Sequence, residues 1–241
     1  MTQSYLALGG NAGDVARAFE QALDQIGGTP GCTVTSRSSN YDTTPVGARA
    51  GDRYLNATAG VETTLEPLPL LDLLQTIEAA AGRVRTIHWG PRPLDLDLVF
   101  FGSEIVQTPR LSVPHPAAWY RRFVLDPLTE IAPQFVHPLK QVSIASLRER
   151  LLPRPFTVAL AGGAEALKQR ACDEGKRSFP SVHWSDWDHA AADRLDPVIL
   201  FWLGGPASEF DELPLVPRLD VTSLPGEPLE AMTYVLQAAL G

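Results

Sequence analysis

The pattern of hydrophobic and polar positions in the first hundred residues predicts four strands and two helices. Apolar residues recur every four positions from Asp14 to Ile26, which is the spacing of an amphipathic helix, and a second helix begins at Pro67 and is closed by Gly82. Alternating or β-branched runs predict strands at residues 5–8, 33–39, 54–63 and 94–101. The order β-α-β-β-α-β is typical of a ferredoxin-like α+β fold, with four antiparallel strands under two helices and the other sheet face free to form a site.

After the first hundred residues the sequence pattern changes twice, first to a proline-rich segment and then to a second set of strands and helices. Prolines interrupt residues 109–136, where we predict irregular chain and a short helix near residues 117–122. After Pro155 the pattern predicts strands at 156–160, 198–203 and 216–221 and helices at 164–173 and 229–240. The sequence therefore predicts two domains: residues 1–156, which contain the ferredoxin-like core, and an appended small α/β domain at residues 157–241.

Composition narrows the function classes. The net charge of −8 is uneven: residues 1–156 hold 14 basic and 15 acidic side chains, whereas residues 157–241 hold 6 and 13. An acidic chain disfavours nucleic acid and anionic membranes as partners, and no apolar run reaches the ~18 residues of a membrane helix. Two distant cysteines, Cys32 and Cys172, exclude a disulfide framework. With no signal-peptide pattern at the start, we expect a cytoplasmic protein.

Two carboxylates stand side by side on the fourth predicted strand. Residues i and i+2 of a strand point to the same face, so Asp95 and Asp97 project together, about 7 Å apart at the backbone, while Leu96 fills the core. Such a pair needs a cation, and Mg²⁺ commonly takes one or two protein carboxylates and completes its shell with phosphate and water. The alternative in isolation is the solvated outer face of an amphipathic strand.

The segment before these carboxylates favours a polyphosphate ligand. It contains three arginines, Arg83, Arg85 and Arg92, and a tryptophan in a loop with a Gly-Pro pair. Metal-bound carboxylates and arginines together supply the charge that a transferring phosphoryl group needs. The loop has the composition of a lid that closes over substrate. A P-loop kinase is excluded because no G-x-x-x-x-G-K-[ST] string occurs.

At residues 1 to about 156 the chain resembles 6-hydroxymethyl-7,8-dihydropterin pyrophosphokinase of folate biosynthesis. The matching motifs, in order, are Gly9-x-Asn11, Tyr41-Asp42-Thr43-Thr44-Pro45-Val46-Gly47, Tyr54-Leu55-Asn56-Ala57, Ile77-Glu78, Gly82-Arg83-Val84-Arg85, Trp89-Gly90-Pro91-Arg92-Pro93-Leu94-Asp95-Leu96-Asp97, Arg110-Leu111-Ser112-Val113-Pro114-His115-Pro116 and Arg121-Arg122-Phe123-Val124-Leu125. Gly10 stands where the resemblance leads us to expect a serine, a difference that should affect only a turn.

The resemblance implies transfer of the β,γ-pyrophosphoryl group of ATP to the pterin hydroxymethyl oxygen, leaving AMP, with two Mg²⁺ ions held by Asp95 and Asp97. Arg83 and Arg92 would stabilise the transition state. The implied nucleotide contacts are Gln75, Glu78, Arg85, Trp89, Leu98, Arg110, Ser112, His115 and, near the transferred group, Arg121. The implied pterin contacts are Thr43, Val46 and Asn56 at its edge and Tyr54 and Phe123 on its faces. A flat heteroaromatic ligand suits two aromatic faces and an amide.

Two other functions remain open at this point. A ferredoxin-like fold can serve as a non-catalytic ligand sensor, although paired metal carboxylates argue for catalysis. The second open function is a different metal-dependent phosphotransferase or phosphohydrolase. The residues suited to the edge of a pterin argue against it.

In residues 157–241 we identify no resemblance to a family, and a docking or homo-oligomerisation module is the preferred interpretation. Gly162-Gly163 is interpreted as a tight turn rather than an anion cradle. The segment with His183, Asp186, Asp188 and His189 is interpreted as an acidic surface loop rather than a metal site.

Overall fold

The computed structural model describes residues 1–46, 53–82, 92–187 and 196–241. These residues form two compact units, residues 1–148 with Gly241 and residues 149–240. Among them, no helix combines the length and the apolar composition that a membrane span requires. The predicted site residues Arg83, Arg85 and Trp89, and Asp188 and His189 of the second unit, lie outside the described residues.

The first unit contains a five-stranded antiparallel sheet. Its strands are β1 (Thr2–Gly10), β2 (Cys32–Arg37), β3 (Tyr41–Thr43), β4 (Tyr54–Thr63) and β5 (Asp95–Phe101), in the order β2-β4-β1-β5 with β3 also paired to β4. The long strands β1 and β4 are central, and β5 lies at one edge. The unit is therefore α+β, and its longest strands carry the register on which the site depends.

Two helices cover one face of this sheet. They are α1 (Val15–Gly27), whose N-cap Asp14 accepts a hydrogen bond from Arg17 N–H, and α2 (Pro67–Ala80), which has proline in its first turn. Their apolar stripes pack on Leu6 and Leu8 of β1 and on the alternate residues of β4 and β5. This burial confirms the two predicted helices. Because side chains alternate along a strand, the residues between the buried ones point to the opposite face of the sheet.

The opposite face is open over only part of its area. Phe135 packs on Tyr5 and Phe100 with ring centroids 5.0 and 4.9 Å apart, and His137 meets Phe100 edge-on. The helix α3 (Arg122–Ile131) packs on β4. At the end of the sheet where β1 finishes and β5 begins, this face has partly exposed residues among those described: Ala7, Gly9, Asp95 and Asp97.

The structure corrects the prediction for residues 109–136. We expected a short helix near 117–122, but residues 116–120 form turns, and the helix of this region, α3, begins only at Arg122 and contains Pro127. Proline inside a helix removes one backbone hydrogen bond and is normally a strong breaker. Here the buried side chains of Val124, Leu125 and Leu128 hold the helix on the sheet. The same region also contains a hairpin of β6 (Val106–Gln107) and β7 (Ser112–Val113), and α4 (Ile144–Arg150) follows.

The second unit is a parallel α/β layer. Its strands are β8 (Phe156–Ala161), β9 (Val182–Asp186), β10 (Ile199–Trp202) and β11 (Arg218–Asp220), in the order β11-β10-β8-β9. Its helices are α5 (Glu165–Ser178), α6 (Ala207–Glu212) and α7 (Pro228–Leu240). Every residue of β10 is buried, as expected for a central parallel strand.

Two sequence interpretations are resolved in this unit. His183 and Asp186 belong to β9, so the expected surface loop is a strand at this point, with Trp184 buried between them. Gly162 and Gly163 both have positive φ, and Gly163 N–H donates to the Gly204 carbonyl at 2.6 Å. A Cβ at Gly162 would collide with the Trp202 ring, so these glycines form the expected tight turn.

Candidate active site

The centre of the open sheet face is a row of three residues fixed by strand register. Gly9 of β1 is directly opposite Asn56 on β4 and Asp95 on β5, so all three share a face. A Cβ at Gly9 would lie 3.4 Å from Asn56 Oδ1 and 3.9 Å from Asp95 Cβ. The bare backbone of Gly9 therefore separates the Asn56 amide from the Asp95 carboxylate with no side chain between them.

A second row lies two residues further along. Ala7 is paired with Thr58 on β4 and with Asp97 on β5. Asp95 and Asp97 consequently project from the same face, as the sequence predicts, and two of the smallest residue types form the floor beside them. Larger side chains at positions 7 and 9 would fill the space beside the two carboxylates.

Arg92 stands over the first carboxylate. Its Nη1 is 2.7 Å from Asp95 Oδ2, and both side chains are about four-fifths buried, with 20% and 24% exposed. The Arg92 backbone is held by Asn11: Arg92 N–H donates to Asn11 Oδ1, and Asn11 N–H donates to the Arg92 carbonyl, both at 2.9 Å. Asn11 therefore anchors the chain where it enters β5.

Gly10 makes that anchor possible. A Cβ at this position would be 2.7 Å from the Pro93 carbonyl oxygen and 2.8 Å from Val15 Cγ1. The Gly9-Gly10-Asn11 segment is thus a docking surface for Arg92 and Pro93. The expected serine would not fit here without a shift of backbone, so the difference at Gly10 affects more than a turn.

One side of the carboxylate pair carries the predicted pterin residues. Asn56 Nδ2 donates to Thr43 Oγ1 at 2.7 Å, and Tyr54 lies on the same face of β4 as Asn56, opposite Thr43 in register. Phe123 is in the first turn of α3, and the Arg121 guanidinium lies 5.5 Å from its ring centroid. Val46 is partly buried just beyond β3.

The other side carries the predicted nucleotide residues, along the edge strand β5. Glu78 of α2 is 2% exposed, and its Oε1 accepts the outward N–H of Leu96 at 2.7 Å. Gln75 lies one turn earlier on the same helix and is partly exposed. The Leu98 side chain is buried in the core under the helices. A contact between Leu98 and a ligand would therefore come from its backbone, on the edge strand β5.

The β6–β7 hairpin and the turn after it complete this side. Arg110 forms an ion pair with Asp72 of α2, and Ser112 is partly exposed on β7. His115 N–H donates to the Val99 carbonyl, and its Nδ1 accepts from Ala117 N–H at 3.2 Å. Desolvation, and then the charge of Arg121, lower the pKa of His115 to about 3. The ring is neutral at pH 7 with its proton on Nε2, so it offers a single N–H donor.

The carboxylate pair suits Mg²⁺ that is shared with a phosphate. Asp95 and Asp97 are two oxygen ligands on one rigid strand, and no cluster of three or more metal-ligating side chains occurs in the described parts of the chain. Mg²⁺ is bound in this way, through one or two carboxylates with water and substrate phosphates. The two carboxylates therefore fit a metal ion that water or a substrate phosphate also binds.

A family model described as 7,8-dihydro-6-hydroxymethylpterin-pyrophosphokinase (HPPK) matches residues 5–133 of this chain. The chain belongs to the HPPK family.

Relatives in several bacteria support this assignment. The chain is 44% identical over 136 residues to a 2-amino-4-hydroxy-6-hydroxymethyldihydropteridine pyrophosphokinase of Methylorubrum extorquens, an alignment that covers 56% of this chain and 86% of that protein. The enzyme of the same name from Bacillus subtilis is 44% identical over 131 residues, with 54% and 78% covered. A crystal structure of Plasmodium falciparum HPPK-DHPS aligns with 97% of this chain and 70% of that one at 13% identity and a TM-score of 0.51, which supports the fold alone.

The HPPK match ends before the second unit begins. Within the matched residues, the sequence alone assigned no role to three residues that the structure places at the site: Ala7, Gly9 and Asn11. The motif Gly9-x-Asn11 was part of the resemblance, but without a role for either residue. Small residues opposite functional ones in a sheet are visible only once the register is known, because a one-residue shift would place them on the other face.

Proposed function

We propose that this HPPK-family chain transfers the β,γ-pyrophosphoryl group of ATP to the hydroxymethyl oxygen of 6-hydroxymethyl-7,8-dihydropterin, leaving AMP. In this proposal ATP is the co-substrate and folate biosynthesis is the pathway. The relatives' names support it, because they name a pyrophosphokinase that acts on a hydroxymethyldihydropteridine. The observation that carries the proposal is the row Asn56-Gly9-Asp95, which sets an amide suited to a pterin edge beside a carboxylate suited to a metal-bound phosphate.

The two carboxylates would hold the metal ions. Asp95 and Asp97 project from one face over Ala7 and Gly9, and we propose that together they bind two Mg²⁺. Bound there, the ions would neutralise charge on the phosphate oxygens. Arg92 Nη1 lies 2.7 Å from Asp95 Oδ2, so a metal ion bound at that oxygen would displace the guanidinium. Arg92 is then available to the transferring group.

The pterin would lie on the β3–β4 side of the carboxylates. We propose that Thr43, Val46 and Asn56 contact its polar edge and that Tyr54 and Phe123 stack on its two faces. The 2.7 Å bond from Asn56 Nδ2 to Thr43 Oγ1 supports this, because it holds the amide in place against β3. A fixed amide presents one oxygen and one N–H in a known direction, which is what recognition of a heterocycle edge requires.

The nucleotide would lie along the β5 edge. We propose that Gln75, Glu78, the backbone of Leu98, Arg110 and Ser112 contact it, and that His115 Nε2–H donates to a phosphate. The neutral state of His115 at pH 7 supports a hydrogen-bonding role over a charge-neutralising one. Charge would come from arginines: Arg92 and Arg83 in the transition state, Arg121 near the transferred group, and Arg85 with Trp89 at the nucleotide.

The fold and the domains are part of the proposal. The order β2-β4-β1-β5 with two helices on one face supports a ferredoxin-like core. The two compact units, which divide between Arg148 and Glu149, support a two-domain chain. We assign residues 1–156 to catalysis and residues 157–241 to an acidic α/β extension that supplies no catalytic group. A homo-oligomer formed through this extension, and a cytoplasmic location, stay predictions.

Metal stoichiometry tests the central part of this proposal. Mn²⁺ replaces Mg²⁺, and its free concentration is followed by electron paramagnetic resonance in the presence of α,β-methylene ATP, an analogue in which the bond to be cleaved is blocked. We expect two ions per chain in the wild type and a loss of at least one in Asp97→Asn. Two ions in both proteins would show that the carboxylate pair is not the metal site.

A further inference from the structure

Glu130 joins two distant parts of the first unit. Its Oε1 and Oε2 each lie 3.0 Å from Ser39 N, its Oε1 accepts from Ser39 Oγ at 3.0 Å, and its Oε2 accepts from Tyr41 O–H at 3.2 Å. Ser39 and Tyr41 lie 91 and 89 residues away in sequence. One carboxylate therefore ties the chain at the start of β3 to the end of α3.

Helix chemistry does not account for an acidic residue at this position. Glu130 is the last residue but one of α3, where the partial negative charge of the helix terminus disfavours a carboxylate. The side chain is exposed, so it does not fill a core. The hydrogen bonds to Ser39 and Tyr41 are therefore the contribution that the Glu130 carboxylate makes to the structure.

Each element that Glu130 joins carries one wall of the proposed pterin slot. On β3, Thr43 lies two residues beyond Tyr41 and accepts the hydrogen bond from Asn56. On α3, Phe123 lies seven residues before Glu130, which is two turns or about 10 Å along the helix axis. The distance between the aromatic wall and the polar wall thus depends on how β3 is held against α3.

The neighbouring acidic residue of the same helix is engaged elsewhere. Asp126 binds Arg122 at 2.8 Å and Arg148 of α4 at 2.9 Å, so it ties α3 to α4 and not to β3. The pKa of Tyr41 is raised by desolvation and by the nearby Glu130 carboxylate, so its hydroxyl stays protonated and remains a donor.

We propose that Glu130 is a positioning residue that sets the width of the pterin slot by bracing β3 against α3. The inference rests on the proposed function and adds a residue that touches neither substrate. Stacking on both faces of a flat ring tolerates little change in spacing, because the attraction falls off within a fraction of an ångström. Loss of the brace should therefore weaken pterin binding and leave nucleotide binding intact.

Equilibrium binding separates this role from a structural one. Dissociation constants for 6-hydroxymethylpterin are measured by calorimetry with Mg²⁺ and α,β-methylene ATP present, and the nucleotide constant is measured separately. In Glu130→Ala we expect the pterin constant to rise about 3- to 10-fold, because three hydrogen bonds to an exposed charged group are lost and such bonds are each weak. The nucleotide constant should stay within twofold.

Matched variants make the result specific. Glu130→Gln keeps one oxygen acceptor for Ser39 N–H and should bind pterin more tightly than Glu130→Ala. Tyr41→Phe removes one bond, and its effect should shrink when combined with Glu130→Ala. Glu20→Ala, an exposed carboxylate on α1 on the other side of the sheet, should match the wild type in both constants.

The outcomes also separate this inference from the proposed function. A Glu130→Ala protein whose melting temperature falls while its pterin constant stays within twofold of the wild type would reduce Glu130 to a structural residue and overturn the inference. Equal weakening of pterin and nucleotide binding would overturn it as well. Failure of the wild type itself to bind pterin and to form AMP would instead refute the proposed function.

Discussion

His137 makes the stability of the first unit depend on pH. The residue is 2% exposed, and its Nδ1 accepts hydrogen bonds from Leu139 N–H at 3.2 Å and Lys140 N–H at 3.3 Å. A nitrogen that accepts two N–H groups cannot carry a proton, so the ring is neutral and Nε2 holds its hydrogen. Desolvation, and then the charge of Lys140, lower the pKa of His137 to about 4 from its usual 6.5.

The sign and size of the effect follow from linkage. Between pH 6.5 and pH 4 the unfolded chain binds a proton at this histidine and the folded chain does not, so stability falls as the pH is lowered. With pKa values of about 4 folded and 6.5 unfolded, the free energy of unfolding should drop by about 2 kcal/mol between pH 7 and pH 5. Above pH 6.5 the neutral His137 makes its full contribution to the free energy of unfolding. His115 adds a loss of the same sign, because its pKa is also lowered.

The replacement His137→Asn isolates the His137 contribution. An asparagine Oδ1 can accept the same two N–H bonds but does not titrate, so its cost in packing is the same at every pH. Urea unfolding of both proteins is followed by circular dichroism at pH 5, 6 and 7. We expect the stability advantage of the wild type to shrink by about 2 kcal/mol from pH 7 to pH 5. A difference that stays constant to within about 0.5 kcal/mol would refute the neutral buried histidine.

Four further predictions concern the site and the extension. Asp97→Asn should abolish turnover while its circular dichroism spectrum stays that of the wild type. Arg92→Ala should lower kcat by about 10²–10³-fold but leave the pterin dissociation constant within about threefold, since its contact with the transferring group strengthens in the transition state; equal losses in both would make it a ground-state binding residue. Gly10→Ser should lower the free energy of unfolding by about 1–3 kcal/mol because its Cβ meets the Pro93 carbonyl, and a stable variant would contradict that contact. A chain that ends at Arg154 should retain pyrophosphoryl transfer, and a truncated protein that is folded by circular dichroism but inactive would show that the extension completes the site; light scattering of both lengths tests the predicted oligomer.

Local patterns were sufficient to predict most elements of the first unit. The period-2 alternation of β4 and β5 and the start and stop signals of α1 and α2 predicted these elements to within a few residues. The alternation holds for β4 although its residues 56–61 are buried on both faces. The helix α3 was missed because Pro127 is locally a breaker, and only burial against the sheet compensates for it. The strand β9 was also missed. Its His, Trp and Asp residues have no strong local preference for a strand, and pairing with the neighbouring strand β8 holds them in one.

The site was predictable in its chemistry but not in its layout. Asp95 and Asp97 share a face by strand period alone, and motif resemblance supplied the other residue types. The position of Gly9 between Asn56 and Asp95 depends on two strand registers, and the bonds of Glu130 span about 90 residues. Such long-range contacts leave no local signal in the sequence.

The central claim is that an intact pyrophosphoryl group moves from ATP to the pterin. Phosphorus-31 NMR of a reaction containing the enzyme, Mg²⁺, ATP and 6-hydroxymethyl-7,8-dihydropterin tests it most directly. We predict AMP as the nucleotide product and a pterin product with two mutually coupled phosphorus signals, both lost in Asp97→Asn. ADP with a pterin that carries one phosphorus, or inorganic phosphate without a phosphorylated pterin, would contradict the account.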